Sequence, residues 1–378
     1  MTRRKEIALL VALALAAPAV MLVAQEGPKK DPGETVAKPR RPGQTTEEEL
    51  PKIPSRLGNN KDRPQLPEGL PSFQSDVALV NVDVSVVDNK GNFIPNIPQQ
   101  HFRVLEDNVP QQVKTFGTGE APMTVAMVIE FSNLFQRYWG ETWYQTLTAA
   151  YGFIETLKAE DYVAVVAYDM RPEILSDFTT DRRKTQEAMQ RLRIPAFSES
   201  NLFDALADTA DRMSAIEGRK AIVLISSGMD TFSKLRFDQT RKILQNAGVP
   251  IYGIGLMQAL REMIDAYGWM GSIQRLDFLQ ADNQMRTFTK ETGGMSFFPR
   301  FYGEFPSIFQ QIAYSLRNQY SIGYEPANKA RDGKFRKIKV ELVNPATNEP
   351  LRVTDEKGKP IKYRIIAKAG YTAPREVE

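Results

Sequence analysis

The sequence predicts an α/β protein: a doubly wound, mostly parallel sheet that is inserted in, or flanked by, a small β-sandwich. Three observations carry this expectation. Between Thr124 and Arg317, apolar runs of strand length alternate with amphipathic helical stretches, the pattern of parallel strands joined by crossover helices. On both sides of that region, apolar residues recur at every second position, the period of a half-buried strand. Neither flanking stretch holds enough strands to close a core, because an isolated hairpin is marginal in water. A sandwich assembled from both is the economical solution.

Taken in order, Thr2-Arg3-Arg4-Lys5 precedes an almost unbroken apolar run from Ile7 to Ala24. A basic start followed by an apolar run reads as a secretory signal over residues 1–25. The run is also nearly long enough to span a bilayer, so an uncleaved anchor is the alternative. Either way the remaining chain is expected to be exported: periplasmic, on the outer surface or secreted. Membrane contact is then confined to residues 7–24, and only if they are retained. Residues 26–71 carry Pro at positions 28, 32, 39, 42, 51, 54, 64, 67 and 71 among charged residues and Gly. Such a segment cannot bury a core and is expected to be a disordered linker.

The first half of the β-domain is expected over 76–118. Val80, Val82, Val84 and Val86 share one face, and Asp88-Asn89-Lys90-Gly91-Asn92 forms a turn. Glu106-Asp107-Asn108 is a second turn, and His101 is expected at a surface or edge. The α/β domain is expected over 120–318. Its strands are read at Thr124–Phe131, Tyr162–Tyr168, Ile174–Phe178, Ala221–Ile225, Ile251–Leu256 and Met295–Phe298. Helices are read at Glu141–Lys158, Arg182–Leu192, Leu202–Ile216, Phe237–Asn246, Asn283–Glu291 and Pro306–Arg317. Gly248 has the position of a helix C-cap. Residues 257–280 look like an insert between a strand and its helix, a length often tied to function. The second half of the β-domain is expected over 319–372, with alternation at Ile338, Val340, Leu342 and again at Ile361, Tyr363, Ile365.

Composition excludes several functions. There is no Cys, which removes disulfides, thiolate metal sites and cysteine nucleophiles. The single His rules out sites that need two imidazoles and most triad chemistry. A net charge of +3 over 378 residues gives no electrostatic support for nucleic-acid binding. Gly293-Gly294 ends a helix where a phosphate cradle would open one.

The stretches VNVDVSVVDNKGNFIPNI, HFRVLEDNVPQQV, DYVAVVAYD, SNLFDALADTADR, KAIVLISSGMDTFS, VPIYGIGL, FTKETGGMSFF and QYSIGYEPANKARDGKFRKIKVEL run from about Val77 to Tyr371. In their order and spacing they resemble a von Willebrand factor type A domain, and more closely the VWFA-related domain proteins of acidobacteria. The resemblance implies a von Willebrand factor A-like, Rossmann-like fold and a metal-ion-dependent adhesion site at the C-terminal edge of the sheet, where open α/β folds place ligands. The family pattern there is Asp-x-Ser-x-Ser, a Thr and an Asp. This chain reads Glu130-Phe131-Ser132-Asn133-Leu134, then Ser200, then Ser227. The implied metal positions are Glu130, Ser132, Ser200 and Ser227, with Asp230 or Glu199 as a compensating carboxylate on the same rim.

These departures weaken a site for Mg²⁺, which needs oxygen ligands in near-octahedral geometry. Leu134 offers no oxygen, Ser227 replaces a charge with a hydroxyl, and Glu130 moves its carboxylate by about one C–C bond, roughly 1.5 Å. The expectation is a degenerate site and no cofactor, with Mg²⁺ or Ca²⁺ as the alternative. Partner contact is expected from the aromatic cluster that includes Trp139 and Trp143, and from Tyr267 and Trp269 in the insert. The functional expectation is therefore an exported, non-enzymatic module for protein interaction or cell adhesion, binding a protein or cell-surface ligand. A divalent-cation-dependent adhesion module is the alternative, and an extracytoplasmic enzyme the third reading. Nothing in the sequence names the partner.

Overall fold

The structure is a computed structural model that describes residues 79–375, apart from 119–120, 133–146, 148–149, 193–196, 198, 217, 259–260, 263–271 and 355–357. The expected signal, the linker, the aromatic cluster with Trp139 and Trp143, and Tyr267 and Trp269 all lie outside the described residues.

Strands β1 (Val80–Asp88), β2 (Phe102–Glu106), β3 (Val109–Gln111) and β4 (Val113–Gly117) come first. The Asp88 carboxylate closes the turn after β1 by accepting from the Lys90 and Asn92 amides, at 2.7 and 2.9 Å. The β2–β3 turn places Asp107 and Asn108 at φ 47° and 67°, a region that these two residue types tolerate best after Gly. His101 sits half-buried in a short 3₁₀ turn, with Nδ1 3.0 Å from the Val343 carbonyl oxygen.

The α/β unit contains β5 (Met123–Glu130), β6 (Tyr162–Tyr168), β7 (Pro172–Thr179), α1 (Arg182–Gln190), α2 (Leu202–Ser214), β8 (Arg219–Ser226), α3 (Phe237–Ala247), β9 (Ile251–Gly255), α4 (Ser272–Thr292), β10 (Ser296–Phe297) and α5 (Phe305–Asn318). Residues 150–156 are also helical. The sheet order is β10-β9-β8-β5-β6-β7, parallel throughout except for antiparallel β7 at one edge. All eight residues of β5 are buried, as a central strand covered on both faces requires. One face packs Met127 and Ile129 against Phe153, Phe309 and Ile312; the other packs Val128 and Leu224 against Leu206, Met285 and Phe288. Helix α3 ends at Gly248 with φ 62°, a left-handed cap. Helix α4 begins at Ser272 rather than near Asn283. Its first turns carry exposed Leu276 and Leu279, which blur the apolar stripe that marks a helix in sequence.

Strands β11 (Tyr320–Tyr324), β12 (Phe335–Leu342), β15 (Tyr363–Ile366) and β16 (Gly370–Thr372) follow, with a small hairpin of β13 (Val353–Thr354) and β14 (Pro360–Ile361). They share sheets with the first four strands, in the orders β15-β1-β11-β4 and β16-β12-β2-β3. The two sheets enclose a core of Val82, Val84, Phe102, Val104, Tyr320, Ile322 and Val340. Glu106, buried on β2, accepts from Tyr324 on the opposite sheet at 2.7 Å and from Tyr371 at 3.0 Å, which pins one sheet to the other.

This β-unit meets the α/β unit at the N-terminal ends of the parallel strands. The Ala369 amide donates to the Glu291 carbonyl at 2.9 Å, near the end of α4. Arg219, at the start of β8, donates to the carbonyls of Leu316 and Gln319, at 3.3 and 2.9 Å, and to that of Arg317. One guanidinium thus satisfies the last carbonyls of α5 and the entry into β11. Arg219→Leu strands these buried acceptors, and we expect a loss of about 2–3 kcal/mol, several degrees in Tm. An unchanged thermal unfolding curve would show that water replaces the arginine without penalty.

Candidate functional site

The parallel strands β5, β6 and β8 end side by side at Glu130, Tyr168 and Ser226. Glu130 is in register with Tyr168, and Ile129 with Ser226's neighbour Ile225. Glu130 is fully buried, as are Ser132, Ser200 and Ser226, while Ser227 is 2% exposed. A carboxylate removed from water must find donors within the protein. Here Ser132 donates its hydroxyl to Glu130 Oε1 at 2.9 Å. Oε2 accepts from the Ser226 hydroxyl at 3.0 Å and the Ser227 amide at 2.6 Å.

The donors have support of their own. Tyr168 donates its hydroxyl to Ser226 Oγ at 2.7 Å, and the Gly228 amide donates to the same oxygen at 2.8 Å. With both acceptor positions of Ser226 filled, its one proton is directed at Glu130. Ser200 faces the same Tyr168 hydroxyl and donates its own proton to the Met229 carbonyl at 2.8 Å. Burial pushes the Glu130 carboxyl above its ordinary value, against hydrogen bonds from Ser227, Ser132 and Ser226 that pull it down. Burial, and the nearby Glu130 charge, hold the Tyr168 phenol protonated far above the usual range for tyrosine.

Glu130, Ser132, Ser200 and Ser227 are therefore brought together at one edge. Asp230 is near enough for its charge to act on the Tyr168 phenol, but its hydrogen bonds run elsewhere. Its Oδ1 accepts from the Phe203 amide at 3.1 Å and from the Ser233 hydroxyl, which commits it to the N-terminus of α2. Tyr168 and Ser226 are absent from the residues expected from the sequence. The available signal was their place: each ends a parallel strand beside Glu130.

As a donor set for a hard divalent cation these residues fit poorly. Mg²⁺ and Ca²⁺ favour several carboxylate or carbonyl oxygens around one point. Glu130 supplies the one carboxylate in this hydrogen-bonded cluster, and Ser132, Ser200, Ser226 and Ser227 supply only neutral hydroxyls. Among the described residues no group of three or more His, Asp or Glu stands together as a metal cluster.

The raised Glu130 carboxyl gives a pH signature. A carboxyl that holds its proton more tightly when folded stabilises the fold below its unfolded value, and that contribution is lost as pH rises through the folded one. Comparison with Glu130→Gln isolates it. The Tm of the wild type relative to that of Glu130→Gln is expected to fall as pH rises from the ordinary glutamate value of 4.5 toward neutrality. A difference that grows with pH would mean that the hydrogen bonds outweigh burial.

Outside this cluster, the same edge carries exposed apolar side chains. Of the eight large hydrophobic residues exposed among those described, Phe197, Phe232, Leu276, Leu279 and Phe301 lie here. The segments that carry Phe197, Phe232 and the two leucines adjoin. The Phe232 amide donates to the Ser200 carbonyl at 3.0 Å, which places it beside the loop that carries Phe197. Gly228, at φ 79°, lies so close to α4 that a Cβ there would sit 3.1 Å from the Ala281 carbonyl oxygen. Met285 reaches the level of Gly255, the last residue of β9. Leu276, nine residues earlier on α4, therefore stands about 13 Å beyond the strand end.

A sequence model of the von Willebrand factor type A domain matches residues 127–229. No curated protein matches the sequence. Among solved structures, the chain is similar to proximal thread matrix protein 1 from the mussel byssus, at 12% identity over 56% of this chain and 51% of that one, with a TM-score of 0.42. It thus spans about half the length of that protein. A von Willebrand factor type A protein from Catenulispora acidiphila aligns at 12% identity over 81% and 76% of the two chains, with a TM-score of 0.40. The vWF domain of the type V pili tip protein Mfa5 from Porphyromonas gingivalis aligns at 13% identity over 51% and 94%, also with a TM-score of 0.40. The matched segment runs from the middle of β5 to the loop after β8, so residues 127–229 match the von Willebrand factor type A domain and the α/β unit has a fold of that type.

Proposed function

We propose that this chain is an exported, non-enzymatic interaction module that binds a protein or cell-surface ligand at the C-terminal edge of its α/β sheet, without a divalent cation. The observation that carries the reading is the exposure of Phe197, Phe232, Leu276, Leu279 and Phe301 on loops and a helix turn at that end of the sheet. Large apolar side chains gathered on one exposed face mark contact surfaces. The β-sandwich supports the reading by its position, since among the described residues it meets the α/β unit at the opposite, N-terminal ends of the parallel strands. Domains of this type are generally interaction modules rather than enzymes. The only His lies in the sandwich, distant from the serines of the edge. Export rests on the apolar N-terminal run of the sequence. Among the described residues, no helix is long and apolar enough to cross a membrane.

The test pairs a surface change with metal removal. The wild type and a Phe232→Glu/Leu279→Glu variant are incubated with the envelope fraction of the producing cells, in EDTA and in Mg²⁺. Retention of the wild type is expected to be equal in both, and to fall at least about tenfold in the double variant at unchanged Tm, as for the loss of two apolar anchors. Retention that needs Mg²⁺ would transfer the proposal to a cation-dependent adhesion site. Equal retention of both proteins would remove the edge as the contact surface.

A further inference from the structure

Three donors from two strand ends converge on one buried carboxylate: the hydroxyls of Ser132 and Ser226 and the amide of Ser227, at 2.9, 3.0 and 2.6 Å. None of these donors has to lie there for the sheet to form. The β5–β8 ladder is already complete from Met123↔Arg219 to Ile129↔Ile225, one step below. Tyr168, from a third strand, and the Gly228 amide fill the acceptor positions of Ser226 and leave its proton to Glu130. Oriented donors, excluded water and a single anionic occupant are the attributes of a ligand site.

We propose that the C-terminal edge of the sheet contains a carboxylate-binding site, built by Ser132, Ser226 and the Ser227 amide and oriented by Tyr168, and that Glu130 is its tethered ligand. Glu130 thereby becomes a positioning residue. Its carboxylate joins the segment after β5 to the segment after β8, through bonds that need no added ion. The class of ligand is a small monocarboxylate. Glu130→Ala removes one methylene and one carboxylate, the heavy atoms of acetate, and leaves the donors in place. The site does not depend on which partner the edge takes, so its failure would leave the proposed function standing.

The experiment is chemical rescue of the full-length chain carrying Glu130→Ala. Its Tm is measured in acetate, in chloride at equal ionic strength, and in acetamide, which has the shape of acetate without its charge. Val128→Ala, which opens a cavity in the same strand without stranding a donor, is the control for simple space filling. Glu130→Ala is expected to lose several degrees in Tm, and acetate to restore about half or more of that loss, because a ligand that binds only the folded state raises its stability. Chloride and acetamide should restore little, and Val128→Ala should not respond to acetate. If Glu130→Ala does not fold in chloride, its refolding yield in acetate against chloride decides in the same way. Rescue by acetate alone supports the site. Equal behaviour in all three solutes, or failure to refold in acetate, overturns it.

Discussion

A carboxylate shut away from water has to be met by hydrogen-bond donors, and at Glu130 this requirement organises the whole C-terminal edge of the sheet. Its two oxygens accept from residues that follow different strands, Ser132 after β5 and Ser226-Ser227 at the end of β8. Tyr168 at the end of β6 then fixes Ser226. Three neighbouring strand ends are thus tied through one side chain. The segment after β8 carries the constraint outward. Gly228 lies against α4, Met229 receives the Ser200 proton, and Thr231 and Phe232 bond to the Ser200 carbonyl. Asp230 and Asp204 interlock the same segment with the start of α2, since Asp204 accepts from the Lys234 and Leu235 amides at 3.0 Å each. Exposed Phe232 lies on this segment, and exposed Phe197 lies in the loop that leads to Ser200.

Charge count explains why such an edge suits a cation poorly. A divalent ion is held by several formal negative charges. Here a serine, Ser227, stands where the family pattern has Asp, and Asp230 is drawn to a helix N-terminus, a favourable place for a negative side chain. The one charge within the cluster, on Glu130, accepts from Ser132, Ser226 and the Ser227 amide. The methylene that separates Glu from Asp lets the carboxylate reach across to the β8 segment.

Much of the fold was legible in the sequence because its signals are local. The alternation of apolar strands and amphipathic helices is written in the order of residues, and Gly248 marks the end of α3 by its conformation alone. The family pattern located Glu130, Ser132 and Ser227 at strand ends, and Ser200 at the opening of a helix, for the same reason. What was not legible depends on three-dimensional neighbours. Tyr168 reads as one more residue of a buried strand until the parallel register sets it against Glu130. Asp230 looks like a spare ligand until helix α2 is seen to claim it. The early start of α4 was hidden because Leu276 and Leu279 face outward, where a packed helix shows polar residues. Exposure of Phe197, Phe232 and Phe301 has no sequence signal, because an aromatic reads alike in a core and at a surface.

The central claim is that the Glu130 hydrogen bonds, and no bound ion, hold this edge in shape. Amide hydrogen exchange at Ser227 and Gly228 reads it directly, since the first amide donates to Glu130 and the second to Ser226. Both amides should exchange slowly in the wild type, at rates that are the same in EDTA and in Mg²⁺. Exchange that is fast in EDTA and slowed by Mg²⁺ would contradict the account and make a metal ion the organiser of the edge.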